Sequence, residues 1–366
     1  MEDRVMERRT LLTGALGLGV LAACSRGGES TPSASPTPSS TGSATATGPV
    51  KLQVAGEVAT GLNVPWGLVF LADDSALVSQ RDTGSIVRIG DGAVTEIGVV
   101  PGVLPRGAPG EGGLLGLAVP EDESAIYAYL TTESDNRVVR MSFDGGSLGA
   151  PEPVLTGIPA ATFHHGGRIL IDPEGYLLVA TGDGQQPQKA QDLSSPLGKI
   201  LRMTTEGKPV PGSDSIVYSY GHRNVQGLAF DADGRLWASE FGDKKADELN
   251  LVTPGANHGW PQVEGDDPTT DTVRPKVTWP TNECSPSGLA ITRSTAFLGA
   301  LQGRCVYTVP LDGEDVGEPT AWLDEEYGRI RTIAVAPDDS LWVTTSNTDG
   351  RRDPNEGDDR ILRVTI

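Results

Sequence analysis

The chain has 366 residues, of which 47 are glycine and 27 are proline, so about a fifth of it consists of residues that favour turns. This composition argues against a mostly helical protein, because glycine and proline destabilise helix interiors. The formal net charge of −20 argues against nucleic acid as a partner, because such binding depends on Lys and Arg that neutralise phosphates. Apolar segments recur along the chain and exclude full disorder.

The N-terminus has the pattern of an export signal. Arg8-Arg9 precede an apolar segment, residues 11–23, which is too short to span a bilayer and has the length of a signal-peptide core. The segment ends in Leu21-Ala-Ala-Cys24, which resembles a bacterial lipobox. Residues 1–24 are therefore interpreted as a signal peptide with lipidation of Cys24. The alternative is an ordinary signal peptide that contains this cysteine by chance.

The arginine pair also resembles a twin-arginine signal, while Sec-dependent export and translation from Met6 are alternatives. Residues 25–50 consist almost entirely of Ser, Thr, Pro, Gly and Ala, a composition that cannot bury a core and predicts a flexible tether. The protein is therefore predicted to be exported and held by a lipid anchor at the outer face of the bacterial cytoplasmic membrane, with the anchor as its membrane contact.

Residues 51–366 repeat one pattern of an apolar strand, a turn and a second strand. The copies begin at Gly67, Gly116, Arg168, Gly227, Gly288 and Thr332. Alternating apolar residues around Asp-Gly or Asp-Asp turns predict hairpins. A third strand follows most copies, at Ile86, Val138, Ile200 and Ile361. Six units of about 53 residues predict an all-β, six-bladed β-propeller, in which the loops of one face surround the central axis.

Two cysteines, Cys284 and Cys305, lie in the part of the chain that follows the tether. An even number of cysteines in an oxidising compartment predicts a disulfide, which would close a loop of about twenty residues. The alternative is a pair of unbonded thiols without a chemical role. The sequence has no cluster of His and Cys with the spacing of a zinc site.

The four histidines lie in glycine-rich loops. His164 and His165 directly precede the first strand of the third repeat, His222 precedes that of the fourth, and His258 follows in the next loop. Their concentration in loops predicts a functional site. Asp183 follows the second strand of the third repeat, so it can reach back across the hairpin and orient a histidine.

Arginines follow the same distribution. Arg168, Arg223, Arg329 and Arg331 lie at or just before the first strand of a repeat. In an acidic chain, positive groups that converge on one face predict an anionic ligand or cofactor. The alternative is that these arginines only neutralise neighbouring carboxylates.

The motifs, taken in order, resemble those of the soluble glucose/sorbosone dehydrogenases that depend on pyrroloquinoline quinone (PQQ), and especially the aldose sugar dehydrogenases. The resemblance covers residues 61–366. It is carried by Pro65-Trp-Gly-Leu, Glu111-Gly-Gly-Leu-Leu-Gly116, His164-His-Gly-Gly-Arg168, Gly182-Asp183, Gly221-His-Arg-Asn-Val-Gln-Gly227, Asp247-Glu-Leu-Asn250, Asn257-His-Gly-Trp-Pro261 and Arg329-Ile-Arg331. One such motif is weak evidence, but the ordered set is specific.

The resemblance implies a reaction and its residues. His164, and not His165, is implied to be the general base that takes the proton of the anomeric hydroxyl of an aldose while hydride passes to PQQ and the sugar becomes a lactone. Asp183 is implied to orient this histidine, and Glu111 to contact the substrate. Electrons are then implied to pass to a quinone or another acceptor, and the chemistry of the cofactor is supported by protein groups that bind and polarise it.

The resemblance also implies how the cofactor is held. Arg223 and Asn224 are implied to bond to the quinone oxygens, where Arg223 stabilises negative charge during the reaction. Arg329 and Arg331 are implied to hold PQQ and its carboxylates. Gln302 occupies a cofactor-contact position at which the family is expected to have Lys.

Calcium is the second implied cofactor. It is a hard cation that prefers oxygen ligands, and the resemblance assigns the backbone carbonyls of Gly242 and Asp243 to the ion that binds with PQQ. Glu248 is implied to bind a structural Ca²⁺. The residue before the calcium turn is Phe241, where the family is expected to have a polar side chain.

The departures from the family pattern leave three functions open. Loss of the Lys at Gln302 removes a positive group, which Arg351 could replace, and Arg168 is expected to serve the structure by pairing with a carboxylate. The preferred function is an aldose dehydrogenase. The alternatives are a non-catalytic carbohydrate-binding lipoprotein with a decayed PQQ site and a calcium-dependent sugar lactonase.

Overall fold

The computed structural model describes residues 50–104, 110–267 and 271–366. The predicted signal peptide with Cys24, and nearly all of the predicted tether, lie outside these residues. Within the described ranges, no helix is long and apolar enough to cross a membrane.

The described residues form six antiparallel sheets, which are the blades of the predicted β-propeller. Blade I contains β2 (Pro65–Phe70), β3 (Ala76–Gln80), β4 (Ser85–Gly90) and β5 (Ala93–Val99). Blade II contains β6 (Leu114–Ala118), β7 (Ala125–Thr131), β8 (Asn136–Ser142) and β9 (Glu152–Ile158). Blade III contains β10 (Gly166–Ile171), β11 (Leu177–Thr181), β12 (Lys199–Met203) and β13 (Val217–Tyr220), with a short 3-10 helix (Pro187–Ala190) before β12.

The second half of the chain continues this order. Blade IV contains β14 (Val225–Phe230), β15 (Leu236–Glu240), β16 (Asp247–Val252) and β17 (Val277–Trp279). Blade V contains β18 (Pro286–Thr292), β19 (Thr295–Ala300), β20 (Cys305–Asp312), β21 (Asp315–Val316) and β22 (Thr320–Trp322). Blade VI contains β23 (Ile330–Val335), β24 (Leu341–Thr345), β25 (Ile361–Thr365) and β1 (Gln53–Ala59). Each of the six predicted repeats therefore begins in the first strand of one blade, as the sequence pattern indicated.

The N-terminal strand closes the ring. β1 pairs antiparallel with β25, from Gln53 opposite Thr365 to Ala59 opposite Ile361. Blade VI is thus built from both ends of the domain, and pairing of β1 covers a strand edge that would otherwise be open.

The core lies between the blades. Within the described residues, six hydrophobic clusters occur, one at each interface between neighbouring blades. The first strands approach closely: a Cβ added to Gly116 would lie 2.4 Å from the carbonyl oxygen of Gly167 in the next blade. The glycine that begins several repeats is therefore needed for packing of the first strands around the axis.

The acidic turns of the repeats are local hydrogen-bonded structures. An aspartate in the turn between the first and second strand accepts the backbone N–H two residues further on, in five of the blades. The acceptors are Asp73, Asp122, Asp172, Asp231 and Asp338. Blade V instead turns at Arg293 and Ser294, which have φ values of 49° and 50°. The degraded fifth copy therefore keeps its hairpin with different turn chemistry.

The cysteines differ from the prediction. Cys284 and Cys305 are free thiols in the structure, and the predicted disulfide between them is absent. Both are buried in the hydrophobic cluster between blades IV and V. Burial raises the pKa of Cys305 to about 12 and that of Cys284 well above its ordinary value. The thiolate that disulfide chemistry requires is therefore disfavoured at both positions.

Candidate active site

One face of the propeller carries a cavity of about 310 Å³ near the axis. We call it the axial pocket and define it by its lining residues. These are Trp66, Arg81, Glu111, Phe163, His164, Arg223, Asn224, Gln226, Phe241, Ser285, Leu301, Gln302, Arg329, Arg331 and Arg351. Eight side chains were predicted to contact the substrate or PQQ or to take part in proton transfer. Seven of them line the pocket, namely Glu111, His164, Arg223, Asn224, Gln302, Arg329 and Arg331. The eighth, Asp183, lies behind His164 and is bonded to it.

The topology explains why these residues meet. In each antiparallel hairpin, the start of the first strand and the end of the second strand lie at the same edge of the blade. Glu111, His164 and Arg329 come just before a first strand, while Arg81 and Phe241 come just after a second strand. The blade order therefore brings residues far apart in sequence to one face.

His164 lies at the pocket with its ring fixed from behind. Its Nδ1 is 2.7 Å from Oδ1 of Asp183, whose side chain is only 1% exposed, whereas that of His164 is 20% exposed. Asp183 also accepts the backbone N–H of Gln185 on Oδ1 and the indole N–H of Trp260 on Oδ2. Because a carboxylate can only accept these bonds, Nδ1 carries the proton and Nε2 is left as a proton acceptor.

The backbone at His164 is unusual. Its φ is 63°, in the left-handed region that a residue with a side chain adopts rarely. The loop also passes against the end of β11: a Cβ on Gly182 would lie 1.9 Å from the carbonyl oxygen of His164. The absence of a side chain at Gly182 therefore permits the hairpin geometry that places His164 beside Asp183.

The other three histidines do not line the pocket. His165 is buried and its Nδ1 lies 2.9 Å from Oδ1 of Asn136. His222 and His258 are buried and stacked, with ring centroids 4.5 Å apart. Burial lowers the pKa of His222 to about 3, so this ring is neutral at ordinary pH. The concentration of the histidines in loops predicted a functional site, but only one of the four lines the pocket, and the other three are buried.

Arg223 and Asn224 line the pocket, and in the described part of the chain each has a buried side-chain donor without a hydrogen-bond partner. Within the described residues, Nε of Arg223 and Nδ2 of Asn224 have no hydrogen-bond partner, although both atoms are buried. Both residues are held in position by other bonds. The Arg223 backbone N–H donates to Glu240, and Asn224 Oδ1 accepts the backbone N–H of Gly166 at 2.9 Å. Buried donors without partners are costly, so these two favour a ligand that offers oxygen acceptors.

Positive charge exceeds negative charge at the base of the pocket. Nε of Arg329 lies 3.0 Å, and Nη2 of Arg331 lies 3.6 Å, from Oδ2 of the same carboxylate, Asp349. Burial lowers the pKa of Arg331, which reports a guanidinium that is not fully compensated. Two buried arginines that share one carboxylate leave a surplus positive charge for an anion.

Arg168 differs from the prediction, because in the described residues it forms no ion pair with a carboxylate. Its guanidinium donates to the carbonyl of Gln226 at 2.7 Å and to the hydroxyl of Thr332 at 3.1 Å, and it lies 4.3 Å above the ring of Trp66. Burial, followed by the charge of Arg331, lowers its pKa. It therefore adds to the uncompensated positive charge beneath the pocket.

Glu111 and Arg351 face each other across the pocket mouth. Nη2 of Arg351 lies 2.7 Å from Oε1 of Glu111, and its guanidinium carbon lies 5.8 Å from the ring centre of Phe163. Gln302 lines the same pocket and is exposed. Arg351 thus lines the same pocket as Gln302, where the expected Lys is missing, but its charge is already paired with Glu111.

The residues predicted to bind calcium lie in and beside the turn after β15. Arg223 Nη2 lies 3.1 Å from Oδ1 of Asp243, which links this turn to the pocket. Oε1 of Glu264 accepts the backbone N–H groups of Lys244 and Lys245 at 2.8 and 2.9 Å, so the conformation of the turn is fixed. Glu248 lies in β16, where its two carboxylate oxygens accept bonds from Gly265 N and Asn250 Nδ2.

Glu248 is a buried carboxyl whose pKa is raised by burial and then by the nearby Glu240. Acidic groups crowded in an apolar setting favour either protonation or a cation. Within the described residues, no group of three or more His, Cys, Asp or Glu side chains has the geometry of a metal site. A calcium ion here would therefore depend on backbone carbonyls as well as on Glu248.

Several pocket residues were missed in the sequence. Arg81 follows β3 directly, and Trp66, Phe163, Gln226, Ser285 and Leu301 complete the wall. Trp66 lies in the motif Pro65-Trp-Gly-Leu, and Arg81 directly follows a second strand, as Phe241 does. Treating every residue after a second strand as a pocket candidate would have found Arg81.

The fold and the pocket define a class of protein. A six-bladed propeller presents a histidine whose free nitrogen can accept a proton, beside unpartnered donors and surplus arginines suited to an anion. Such a site suits removal of a proton from a substrate held next to an anionic cofactor.

Comparison with known proteins gives the same class. The family model for Glucose / Sorbosone dehydrogenase matches residues 62–362. The chain therefore belongs to the glucose/sorbosone dehydrogenase family, a family of oxidoreductases.

Individual relatives agree. The PQQ-bound form of aldose sugar dehydrogenase from Streptomyces coelicolor has 48% sequence identity and a TM-score of 0.83, with 86% of this chain and 98% of that chain covered. Aldose sugar dehydrogenase YliI from Escherichia coli is 28% identical over 79% of this chain and 89% of its own. An uncharacterized protein from Synechocystis is 31% identical over 80% of this chain and 84% of its own.

Proposed function

We propose that this protein is a PQQ-dependent aldose dehydrogenase, which oxidises the anomeric carbon of a sugar to a lactone and passes the electrons to a quinone or another acceptor. The observation that carries the proposal is the His164–Asp183 pair, with a 2.7 Å contact, beside the unpartnered donors of Arg223 and Asn224. The family and the similarity to a PQQ-bound aldose sugar dehydrogenase support it.

The residues of the pocket fit PQQ, which has three carboxylates and quinone oxygens. Arg329 and Arg331, which line the pocket and share one carboxylate, suit the carboxylates of PQQ, and the free N–H groups of Arg223 and Asn224 suit its oxygens. PQQ, when bound, supplies the acceptor for the hydride of the sugar. Gln302 would contact it as a neutral donor.

His164 moves the proton. Nε2 accepts the proton of the anomeric hydroxyl, and the resulting imidazolium is stabilised by the Asp183 carboxylate bonded to Nδ1. Glu111 lies at the pocket mouth, where an oxygen can accept a sugar hydroxyl. The buried arginines polarise the pocket so that negative charge which develops during the reaction is stabilised without rearrangement.

Calcium and export complete the proposal. The carbonyls of Gly242 and Asp243 would hold the Ca²⁺ that accompanies PQQ, and Glu248 would hold a structural Ca²⁺. The lipobox pattern that ends in Cys24 supports lipidation after export and a position at the outer face of the bacterial cytoplasmic membrane.

The test uses purified apo-protein mixed with PQQ and Ca²⁺. We expect reduction of a redox dye with at least one member of a panel of aldoses, and none when PQQ is omitted. Failure of PQQ to bind, judged by its absorbance, together with no reduction by any sugar, would refute the proposal. Sugar binding without turnover would instead support the non-catalytic alternative, and hydrolysis of a sugar lactone without PQQ would support the lactonase.

The role of His164 has its own variant. We expect His164→Ala to lower kcat by about 10²–10⁴-fold, because a positioned general base contributes that much, while PQQ affinity is retained. His165→Ala is the comparison, because His165 lies in the same motif but is buried outside the pocket. Full turnover by His164→Ala would contradict the assignment.

A further inference from the structure

Trp260 lies at the point where the two halves of the candidate site are joined. It belongs to the motif Asn257-His-Gly-Trp-Pro261, which has no role in the reaction described above. Its indole Nε1–H donates to Oδ2 of Asp183 at 2.8 Å. The other oxygen of Asp183 holds His164, so Trp260 and His164 occupy opposite oxygens of one buried carboxylate.

The same indole supports the cofactor side of the pocket. The guanidinium carbon of Arg223 lies 5.5 Å from the centre of the Trp260 ring, within the range of a cation–π interaction. Arg223 and Asp183 are also joined through the backbone, since Asp183 N donates to the Arg223 carbonyl at 2.7 Å. The indole therefore touches both the group that orients the base and the group that faces the cofactor.

Trp260 is itself held from two sides. The backbone N–H of Trp260 donates to the carbonyl of Gly221 at 2.9 Å, and its backbone carbonyl accepts a bond from Nε2 of Gln191 at 2.7 Å. Gln191 follows the short 3-10 helix, and that segment is fixed by Lys199, whose fully buried ammonium donates to the carbonyls of Lys189, Ala190 and Leu197. A tryptophan anchored in this way can transmit position to its neighbours.

We propose that Trp260 is a positioning residue, which fixes His164 through Asp183 and fixes Arg223 through its ring, so that the proton acceptor and the cofactor contact keep one relative geometry. The inference rests on the proposed function. Loss of the indole N–H leaves Oδ2 of Asp183 without this donor, so the carboxylate charge is less dispersed and holds a protonated His164 more strongly.

Several charged groups lie around His164, and Arg81, Arg223, Arg329 and Arg331 line the same pocket. Asp183 bonds to its ring, Glu111 accepts its backbone N–H at 3.4 Å, and Arg351 reaches Glu111. His165 is its neighbour in sequence and is buried. Trp260→Phe removes none of these groups and keeps a ring beside Arg223, so a change in the titration of His164 in this variant reports on the indole bond.

The experiment compares Trp260→Phe, which removes the N–H but keeps a ring, with Trp237→Phe. Trp237 is the matched control because its Nε1 donates to a carboxylate in the same way, to Asp231 at 2.9 Å, but outside the pocket. In the apo-protein, NMR of ¹⁵N-labelled histidine follows the titration of His164, which is assigned by its loss in His164→Gln. We expect the midpoint to rise by about half a pH unit or more in Trp260→Phe and to stay unchanged in Trp237→Phe.

The loaded enzyme gives the second readout. The acidic limb of the kcat profile is expected to move to higher pH in Trp260→Phe, and kcat at its plateau to fall about tenfold, because the base is less well oriented. Trp260→Ala, which also removes the ring beneath Arg223, is expected to weaken PQQ binding about fivefold, whereas Trp260→Phe leaves it within about twofold. In an Asp183→Asn background, Trp260→Phe is expected to cause no further shift.

An unchanged His164 midpoint in Trp260→Phe, or an equal shift in Trp237→Phe, would overturn the role towards the base. Unchanged PQQ binding in Trp260→Ala would overturn the role towards Arg223. If the wild-type protein oxidised no aldose, the proposed function would fail, but the titration in the apo-protein would still decide whether Trp260 acts on His164.

Discussion

Neighbouring residues at the axial pocket lie in different environments. His164 and His165 are neighbours in sequence, yet one ring is at the pocket and bonded to Asp183, while the other is buried against Asn136. Opposite side-chain directions at consecutive positions, with a φ of 63° at His164, explain the division. Residue type alone therefore does not distinguish the proposed base from its neighbour, whereas the hydrogen-bond partners of the two rings do.

A substitution at Gln302 tests whether the pocket lacks a positive charge at this position. We expect Gln302→Lys to tighten PQQ binding about tenfold or more, because a charge-assisted contact is stronger than a neutral one and Arg351 is already paired with Glu111. The measurement is a PQQ titration followed by absorbance, with Gln302→Met as a neutral control of similar length. Equal affinity in the Lys and Met variants would show that no positive group is missing at this position.

The arginines show what residue patterns can predict. Their position before first strands predicted correctly that Arg223, Arg329 and Arg331 converge. The separate expectation that Arg168 serves the structure by pairing with a carboxylate was wrong. Its contacts come from blades IV and VI and from Trp66, which are distant in sequence and so carried no local signal.

At the scale of elements, the hairpin of β10 and β11 is the unit that builds the proton-accepting pair. β10 begins just after His164, β11 ends just before Asp183, and their pairing brings the two side chains together. This contact was predicted from the strand pattern, because antiparallel pairing makes the ends of a hairpin neighbours. The left-handed backbone at His164 and the close approach of Gly182 to the His164 carbonyl oxygen are visible only in the folded hairpin.

Gly182→Ala is expected to disturb this hairpin. The new Cβ would lie 1.9 Å from the His164 carbonyl oxygen, so the loop must move, and a displacement of about 1 Å at a catalytic group can cost about 10²-fold in kcat. Steady-state kinetics and a PQQ titration check this, since cofactor affinity is expected to change little.

Gly146→Ala is the matched control for this variant. Gly146 lies in a turn where an added Cβ meets only Asp144 Oδ1, at 3.9 Å. Wild-type kcat in Gly182→Ala, or an equal loss in Gly146→Ala, would contradict the steric role of Gly182.

At the scale of the propeller, the pocket arginines and the acidic turns of the repeats occupy opposite ends of the blades. The acidic turns between first and second strands lie at the opposite end of the blades from the strand ends that form the pocket. Among the described lining residues, five are arginines and one is a glutamate, although the chain carries a net charge of −20. A positive recess in an acidic protein attracts anionic ligands to one face.

Ligand binding should therefore stabilise the molecule. With PQQ and Ca²⁺ at about 100 times Kd, the free energy of unfolding is expected to rise by about 2.7 kcal/mol and Tm by several degrees, because the ligands bind the folded state. Differential scanning calorimetry measures the shift, and citrate, which also has three carboxylates, is the control for charge alone. An equal rise with citrate, or none with PQQ, would contradict a site shaped for the cofactor.

The sequence by itself determined the six repeats and the all-β propeller, because period and turn residues are local signals. It determined most of the pocket residues through the resemblance of its motifs to those of a known family. Tertiary structure decided the rest: closure of the ring by β1 on β25, the free thiols at Cys284 and Cys305, the solitary charge of Arg168 and the bridge from Trp260 to Asp183. Each of these depends on contacts between residues that are distant in the chain, and such contacts leave no mark in any short stretch of sequence.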